Sequence, residues 1–350
     1  MNINALFIAS FLTIFSACIG QEQNSSDNRI DVSPSWLAGD TVHLVDGEIR
    51  GIVQDSKNNL WFASNGNGVF KFDGTTIINY KEKHGLSSDY VWMVKEGKDG
   101  KMWFKTNVQP ADVAAICCFD GHEFKTILPD TNPVTYDFEK GELLFDYYLE
   151  GKSLSKMEVP HTSALKNDLH ERHKYAIYGT CLDRDGNIWL GTPAAGICMF
   201  DGEKYTWFDD IELGSAVRDI YQDKNGTIWA GNNGDGLFRF DGQKFINFSR
   251  EKGVHNPDFE KYPIGKPGLM SRVWKITEDN QGNLWVATID NGAWMYDGEK
   301  LINFTPKDGL SMEGIGIWTI YKDKEGKLWF GTEGDGVYTF DGKKMDKFKP

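Results

Sequence analysis

Six residues share one position in a repeated pattern, and their side chains are of the types that bind polar ring-shaped ligands. Each stands eleven residues before a tryptophan: Arg50, Trp92, Tyr178, Arg218, Trp274 and Trp318. Indole and phenol rings offer flat faces for stacking, while the planar guanidinium of arginine donates paired hydrogen bonds to hydroxyls or to a carboxylate. These residue types predict a ligand-binding site that suits a sugar, formed where connecting loops enter the innermost strands of a ring of sheets.

A structural role for the same column is the alternative. The rings and arginines would then plug a central axis or cover the edges of sheets. Strict alternation along a strand places the column on the same side as the residue two positions later. That residue is apolar in most units, which favours the structural role: Ile52, Val94, Thr180, Ile220, Ile276 and Ile320.

The tryptophans that define the column recur at a nearly constant interval. They are Trp61, Trp103, Trp189, Trp229, Trp285 and Trp329, with spacings of 42, 86, 40, 56 and 44 residues. The longest spacing equals two periods, so one middle unit lacks its tryptophan, and residues 141–145 (GELLF) are its remnant. A period of this length, repeated seven times, is typical of a β-propeller.

Each unit divides into four short strands. In the unit around Trp229 these are a first strand at 217–222, the tryptophan strand, a third strand ending in Phe-Asp-Gly at 240–242 and an outer strand at 243–248, with turns at 223–226 and 231–236. An aspartate six residues before the tryptophan opens an Asp-x-x-Gly turn, and without a distal glutamate it does not fit a calcium loop. We expect an all-β, seven-bladed propeller with four-stranded antiparallel blades, the third of them degenerate.

The repeats resemble those of a known family. Residues 323–342 (DKEGKLWFGTEGDGVYTFDG), 183–202 and 223–242 closely resemble the two-component regulator propeller repeat, and the resemblance extends over about residues 49–348. In that family the repeats form the periplasmic sensor region of hybrid two-component regulators, many of which respond to polysaccharide fragments. The sequence ends at Pro350 without a kinase or DNA-binding region, so the resemblance implies a sensor propeller alone.

The amino terminus reads as an export signal. Residues 5–15 (ALFIASFLTIF) form an apolar run too short to span a bilayer but suited to a secretory signal. The stretch 15–18 (FSAC) resembles a bacterial lipobox, which implies cleavage after residue 17 and lipidation of Cys18. Ile19 is not the aspartate of inner-membrane retention, so the resemblance implies the outer membrane. A plain cleaved signal with an incidental cysteine is the alternative.

These features predict three segments: a signal peptide at 1–17, a lipid-anchored tether at 18–40 and the propeller at 41–350. We expect an exported protein, anchored to the cell envelope by its lipid alone and facing the periplasm or the surface. The ring closes in one of two ways. Either residues 343–348 complete the last blade unaided, or residues 41–45 pair with them.

Charge and cysteine content narrow the choice of partners. The net charge is −13, whereas a nucleic-acid groove requires a basic surface, so nucleic acid is excluded as a partner. The remaining cysteines, Cys117, Cys118, Cys181 and Cys198, have no metal-site spacing and are expected to be small buried hydrophobes.

Two long connections, 249–271 and 159–174, join successive units and are expected on the face of the column. The second contains His161, His170 and His173, which we interpret as a solvated loop.

Three functions of different class fit this sequence. The first is a non-catalytic sensor that binds an oligosaccharide or other extracytoplasmic signal and passes it to an envelope partner or a sensor kinase. The second is a propeller lyase resembling the streptogramin-inactivating enzymes, and the third is a protein-interaction scaffold. The column contains no general base, and the acids near it, Asp219, Asp290, Glu313 and Glu333, are not forced into pairs. We therefore favour binding over catalysis and expect no cofactor and no metal.

Overall fold

The computed structural model describes residues 38–97, 99–108, 113–127, 178–193, 195–208, 213, 216–259, 266–312 and 316–350. Every described residue belongs to one compact unit within residues 36–350. The described residues form six antiparallel sheets. The predicted all-β class is confirmed.

The first three sheets follow one another along the chain. Their strands are, in sheet 1, β1 (Asp40–Val42), β2 (Ile49–Gln54), β3 (Leu60–Ser64), β4 (Gly68–Phe72) and β5 (Ile77–Tyr80); in sheet 2, β6 (Val91–Glu96), β7 (Met102–Val108), β8 (Val113–Phe119) and β9 (Phe124–Ile127); in sheet 3, β10 (Gly179–Leu182), β11 (Ile188–Gly191), β12 (Ile197–Phe200) and β13 (Tyr205–Phe208). Each four-stranded sheet is a simple meander, and sheet 1 gains β1 beside β5 as a fifth strand at its outer edge.

The last three sheets repeat the meander. Their strands are, in sheet 4, β14 (Val217–Gln222), β15 (Ile228–Asn232), β16 (Gly236–Phe240) and β17 (Phe245–Asn247); in sheet 5, β18 (Val273–Glu278), β19 (Leu284–Thr288), β20 (Ala293–Tyr296) and β21 (Leu301–Phe304); in sheet 6, β22 (Ile317–Lys322), β23 (Leu328–Thr332), β24 (Val337–Phe340) and β25 (Met345–Lys347). One short helix, α1 (Phe248–Glu251), and two 3₁₀ turns, Glu82–His84 and Pro306–Asp308, lie in connections between sheets.

The innermost strand is the first of each four-stranded meander, which is β2 in sheet 1 because β1 lies at the outer edge of that sheet. Contacts between sheets join β10 to β14, β14 to β18, β18 to β22, β22 to β2 and β2 to β6. Sheets whose innermost strands contact one another in succession are the arrangement of a propeller. The predicted third unit, including its remnant at 141–145, lies outside the described residues, and the count of seven blades stays a prediction.

The recurrent tryptophan supplies the packing between sheets. Trp229 of sheet 4 packs against Val273 and Ile276 of the next first strand, and the other tryptophans described in sheets 1, 3, 5 and 6 repeat this contact. Burying a side chain of this size stabilises the fold by about 2–3 kcal/mol. Gly231, two residues after the tryptophan, allows close approach, because an added Cβ would lie 2.5 Å from Val273. Val273 and Ile276 stand twelve and nine residues before Trp285, so the two apolar columns at these positions serve the interfaces between sheets.

The aspartate before the tryptophan closes a turn, as predicted. Asp223 accepts the backbone N–H groups of Asn225 and Thr227 at one oxygen, each at 2.9 Å. Its other oxygen accepts the indole N–H of Trp229 at 2.9 Å. The same indole bond recurs in sheets 1, 3, 5 and 6 at 2.7–2.9 Å. A hydrogen-bonded aspartate thus fixes both the turn and the ring that packs between sheets.

The ring closes in the first of the two predicted ways. β25 completes sheet 6 by pairing with β24. Residues 40–42 pair instead with β5 of sheet 1, so the predicted pairing of residues 41–45 with the last strand is wrong. Trp329 of sheet 6 packs against sheet 1. Lys324 adds hydrogen bonds to Gln54 at 2.8 Å and to the backbone oxygen of Asp55 at 2.7 Å.

Candidate functional site

A β-bulge at the start of the innermost strand places each residue of the column. Val217 lies opposite Asn232 and Asp219 lies opposite Gly231, so Arg218 is the extra residue with no partner in the register. The same shift occurs at Arg50, Trp92, Trp274 and Trp318. A bulge turns a side chain away from the alternation of its strand.

The bulge corrects the expectation based on strict alternation. Val217 and Ile220 are both buried between sheets, whereas Arg218 between them is half-buried. Tyr178 is positioned differently, because it directly precedes β10 and donates its backbone N–H to the backbone oxygen of Gly191 at 2.8 Å. The column therefore does not share a face with the apolar residue two positions later.

Five of the six column side chains form one stacked series. The guanidinium carbon of Arg218 lies 4.1 Å from the ring centroid of Tyr178 and 4.3 Å from that of Trp274. The rings of Trp274 and Trp318 meet edge to face, with centroids 4.7 Å apart. Arg50 covers the other ring of the pair, with its guanidinium carbon 3.8 Å from the centroid of Trp318. The series runs through sheets 3, 4, 5, 6 and 1.

A hydrogen-bonded relay connects the sixth side chain. Glu48 forms an ion pair with Arg50 through one oxygen and accepts the side-chain amide of Asn65 at 2.9 Å through the other. Asn65 in turn accepts the indole N–H of Trp92 at 3.1 Å. We call the six column residues together with Glu48 and Asn65 the mouth cluster. Stacking and ion pairing fix its side chains without burying them fully.

The cluster offers three kinds of contact to a ligand. A guanidinium on an aromatic face gains about 0.5–2 kcal/mol, which holds the arginines in place. Stacking engages the face of a guanidinium, so its N–H bonds point along the plane towards other groups. The side chains of Arg50 and Glu48 are 26% and 20% exposed, so solvent reaches this end of the cluster. Flat apolar rings, fixed N–H donors and a fixed carboxylate lie next to one another.

Sequence reasoning missed Glu48, Asn65 and Lys105. Lys105 is 2% exposed, and its ammonium lies 6.0 Å from the ring centroid of Trp92. A signal for it was present, because the position two residues after the tryptophan is otherwise small: Ala63, Gly191, Gly231, Ala287 and Gly331. Glu48 stands two residues before Arg50, where the other units have no acid. Each deviation is found by comparing the residues at one position across the repeats: two residues after the tryptophan for Lys105, and two residues before the column for Glu48.

The acids considered for catalysis have separate surroundings. Asp219 pairs with Lys275 at 2.8 Å and accepts the backbone N–H of Ile276 at 2.8 Å, which ties sheet 4 to sheet 5. Glu333 is exposed, and Asp290 is half-buried. Glu313 lies outside the described residues. Within the described ranges, no group of three His, Cys, Asp or Glu side chains is arranged to hold a metal ion.

The four cysteines of the propeller are thiols. Cys117, Cys118 and Cys198 are buried, and Cys181 is half-buried. Burial raises the pKa of Cys181 to about 11 and that of Cys198 to about 12. Protonated thiols at neutral pH are weak nucleophiles and weak metal ligands, which agrees with their prediction as small apolar side chains.

Several predicted features lie outside the described residues. They are the signal peptide at 1–17, Cys18, the tether as far as residue 37, and the connection 159–174 with its three histidines. The other long connection is described except for residues 260–265; its Met270 is fully buried in the core between sheets 4 and 5. Arg272 follows and donates to Asn233 at 3.2 Å, two residues before Trp274 of the mouth cluster. In the part of the chain that the structure describes, no helix is long and apolar enough to cross a membrane.

Comparison with known families identifies the repeat. The model of the two component regulator propeller matches the chain at residues 43–66, 173–194, 212–234, 269–290 and 311–334. Each matched segment begins before the column and ends after the tryptophan strand. The family expected from the sequence is confirmed for these repeats. No curated protein sequence matches the chain.

Solved structures similar to this chain include a propeller domain, an extracellular domain of a two-component system and a lyase. The WD40 beta propeller domain of Doa1 has a TM-score of 0.51 at 11% identity, over 89% of this chain and 98% of that one. An extracellular domain from B. thetaiotaomicron, assigned to the hybrid two component system BT3049, has a TM-score of 0.45 at 17% identity, over 84% of this chain and 34% of that one. Virginiamycin B lyase from Staphylococcus aureus has a TM-score of 0.44 at 16% identity, over 89% and 88%. The first likeness shows the propeller fold, and the chain spans about a third of the second protein.

Proposed function

We propose that this chain, which carries repeats of the two-component regulator propeller family, is a non-catalytic binding module for an oligosaccharide or a similar extracytoplasmic ligand. The observation that carries the proposal is the unbroken stacked series from Tyr178 to Arg50. Its successive contacts measure 4.1, 4.3, 4.7 and 3.8 Å and pass through five sheets. A structural plug would not need half-buried arginines held flat against rings.

The chemistry of the cluster suits a saccharide. The C–H faces of a pyranose stack on indole rings, and its hydroxyls pair with planar donors and acceptors. Trp274 and Trp318 meet edge to face, so they present surfaces in two orientations to adjoining sugar units. The relay through Glu48 and Asn65 supplies both an acceptor and a donor beside these rings.

The proposal includes a place in the cell envelope. The apolar segment at 5–15 and the lipobox-like 15–18 support export and a lipid on Cys18, with the outer membrane as the anchor. The similar B. thetaiotaomicron structure is an extracellular domain of a two-component system. We propose that the protein, once it has bound its ligand, passes the signal to an envelope protein or a sensor kinase, since propellers of this family act as sensor regions.

A glycan-array screen tests the function. The purified chain and its Arg218→Ala/Trp274→Ala variant are compared on one array, and bound glycans are then analysed by mass spectrometry. Binding by the first and at least tenfold weaker binding by the second supports a saccharide module at the mouth cluster. Cleaved or eliminated products would establish a lyase. If no glycan binds, the saccharide proposal fails, and capture of an envelope protein would identify a scaffold.

The anchor has a separate test. Metabolic labelling with a fatty-acid analogue is expected to mark the wild-type chain and not Cys18→Ala, with the label in the outer-membrane fraction. An unlabelled wild-type chain would leave the plain cleaved signal as the explanation of residues 1–17.

A further inference from the structure

Glu48 is the acid of the mouth cluster, and its carboxylate is held in a fixed orientation. One oxygen pairs with Arg50 and the other accepts the amide of Asn65 at 2.9 Å, while 20% of the side chain remains exposed. Each carboxylate oxygen has two lone pairs, and the oxygen that accepts from Asn65 has one left for a hydrogen bond from a ligand. A fixed, partly exposed acceptor favours a ligand that donates.

The ion pair also changes what Arg50 can attract. Its guanidinium face is stacked 3.8 Å from the centroid of Trp318, and its Nε and Nη2 groups contact Glu48. A carboxylate or sulfate brought to this stack would lie beside the carboxylate of Glu48, and like charges repel at such distances. A hydroxyl meets no such penalty.

We propose that Glu48 sets the charge preference of the site, so that the ligand unit bound beside Arg50 and Trp318 carries hydroxyls and no acidic group. This inference rests on the proposed saccharide binding and adds a specificity residue to it. Discrimination is confined to the end of the cluster formed by Trp318, Arg50, Glu48 and Trp92. Arg218, at the other end, is stacked between rings of different sheets.

The test uses matched neutral and acidic glycans. Cellotetraose, mannotetraose and β-1,4-galactotetraose are compared with the same glycans oxidised at C6, where each primary hydroxyl becomes a carboxylate. Dissociation constants are measured by calorimetry for the full chain and for Glu48→Gln, which keeps the shape and removes the charge. We expect the ratio of acidic to neutral affinity to rise at least tenfold in the variant.

A second variant gives the opposite prediction. Arg50→Met leaves the charge of Glu48 without its counter-ion, so the same ratio is expected to fall, although affinity for both forms decreases with the lost stacking. Opposite shifts cannot both come from damage to the fold. Glu203→Gln is the matched control, because Glu203 is an exposed acid in the turn between β12 and β13, the outer hairpin of sheet 3, and its ratio is expected to stay within twofold of wild type.

The outcomes separate this inference from the function on which it rests. If the wild-type chain binds a glycan of the panel and the ratio is unchanged in Glu48→Gln, the inference is wrong while saccharide binding stands. If the ratio moves equally in Glu203→Gln, the preference is a general charge effect and Glu48 has no special part. If no glycan of the panel binds, the saccharide proposal fails and the inference fails with it.

Discussion

Replacing Asp223 by asparagine tests how the repeat is held together. The side chain of Asp223 accepts three hydrogen bonds, two from the backbone of its own turn and one from the indole of Trp229. Asparagine keeps one carbonyl oxygen, which can still accept both backbone N–H groups. Its amide nitrogen replaces the second oxygen, so a donor then faces the donor of Trp229.

The expected cost follows from burial. Asp223 is 8% exposed and Trp229 is 5% exposed, so the indole N–H has little access to water. Leaving one buried donor unpaired costs about 1–3 kcal/mol, and the lost bond was to a charged group. We expect Asp223→Asn to lower the free energy of unfolding by about 2–3 kcal/mol. With a slope of about 2–3 kcal/mol per molar urea, the midpoint falls by about 1 M.

Urea denaturation followed by tryptophan fluorescence measures this loss. Asp241→Asn is the matched control, since the exposed Asp241 also accepts two backbone N–H groups, at 2.8 Å each, but no indole; its midpoint is expected not to move. In a Trp229→Phe background the effect of Asp223→Asn is expected to shrink to under about 1 kcal/mol. An equal loss in the Phe background, or in the control, would refute the assignment to the indole bond.

Three further predictions follow from packing and protonation. Gly231→Ala places a Cβ 2.5 Å from Val273 and is expected to cost about 1–3 kcal/mol in urea denaturation; an unchanged midpoint would contradict the packing. Burial raises the pKa of Cys198 to about 12, so native chain at pH 8 is expected to resist iodoacetamide while unfolded chain reacts, as read by mass spectrometry. Burial works to raise the pKa of Asp183, but hydrogen bonds from Trp189 and from its own turn outweigh it and lower the pKa below 3.8. The stability this provides is present above pH 3.8 and is lost as the pH falls through the lowered value, and Asp183→Asn is expected to flatten that acid limb; an unchanged pH profile would oppose this.

The strands of the fold could be predicted because their signals are local. The first strand of sheet 4 was expected at 217–222 and β14 spans the same residues, since an Asp-x-x-Gly turn and a tryptophan fix the register within one hairpin. The aspartate column likewise has one role in the five described units that carry it, and the apolar columns pack between sheets. Repetition makes such positions readable without knowledge of distant contacts.

The geometry of the candidate site could be predicted only in part. The six column residues could be identified from the repeat. Strict alternation predicted the wrong side of the strand for their side chains, because the bulge at Arg218 adds one residue to the strand. No residue type in the sequence indicates this bulge. The relay from Glu48 through Asn65 to Trp92 joins the neighbouring sheets 1 and 2, and it depends on side-chain contacts that the repeat pattern does not give. Lys105 could have been identified from the sequence, because it is a charged residue at a position where the other units have small residues.

Calorimetric titration of Trp274→Ala with the best glycan from the array tests ligand binding at the mouth cluster most directly. Trp274 contacts both Arg218 and Trp318, so its loss breaks the stacked series at its centre. Trp207→Ala is the matched control, since Trp207 is half-buried on the outermost strand of sheet 3. We expect Trp274→Ala to weaken binding at least tenfold and Trp207→Ala to stay within twofold of wild type. Equal affinity of Trp274→Ala and wild type would contradict binding at this cluster.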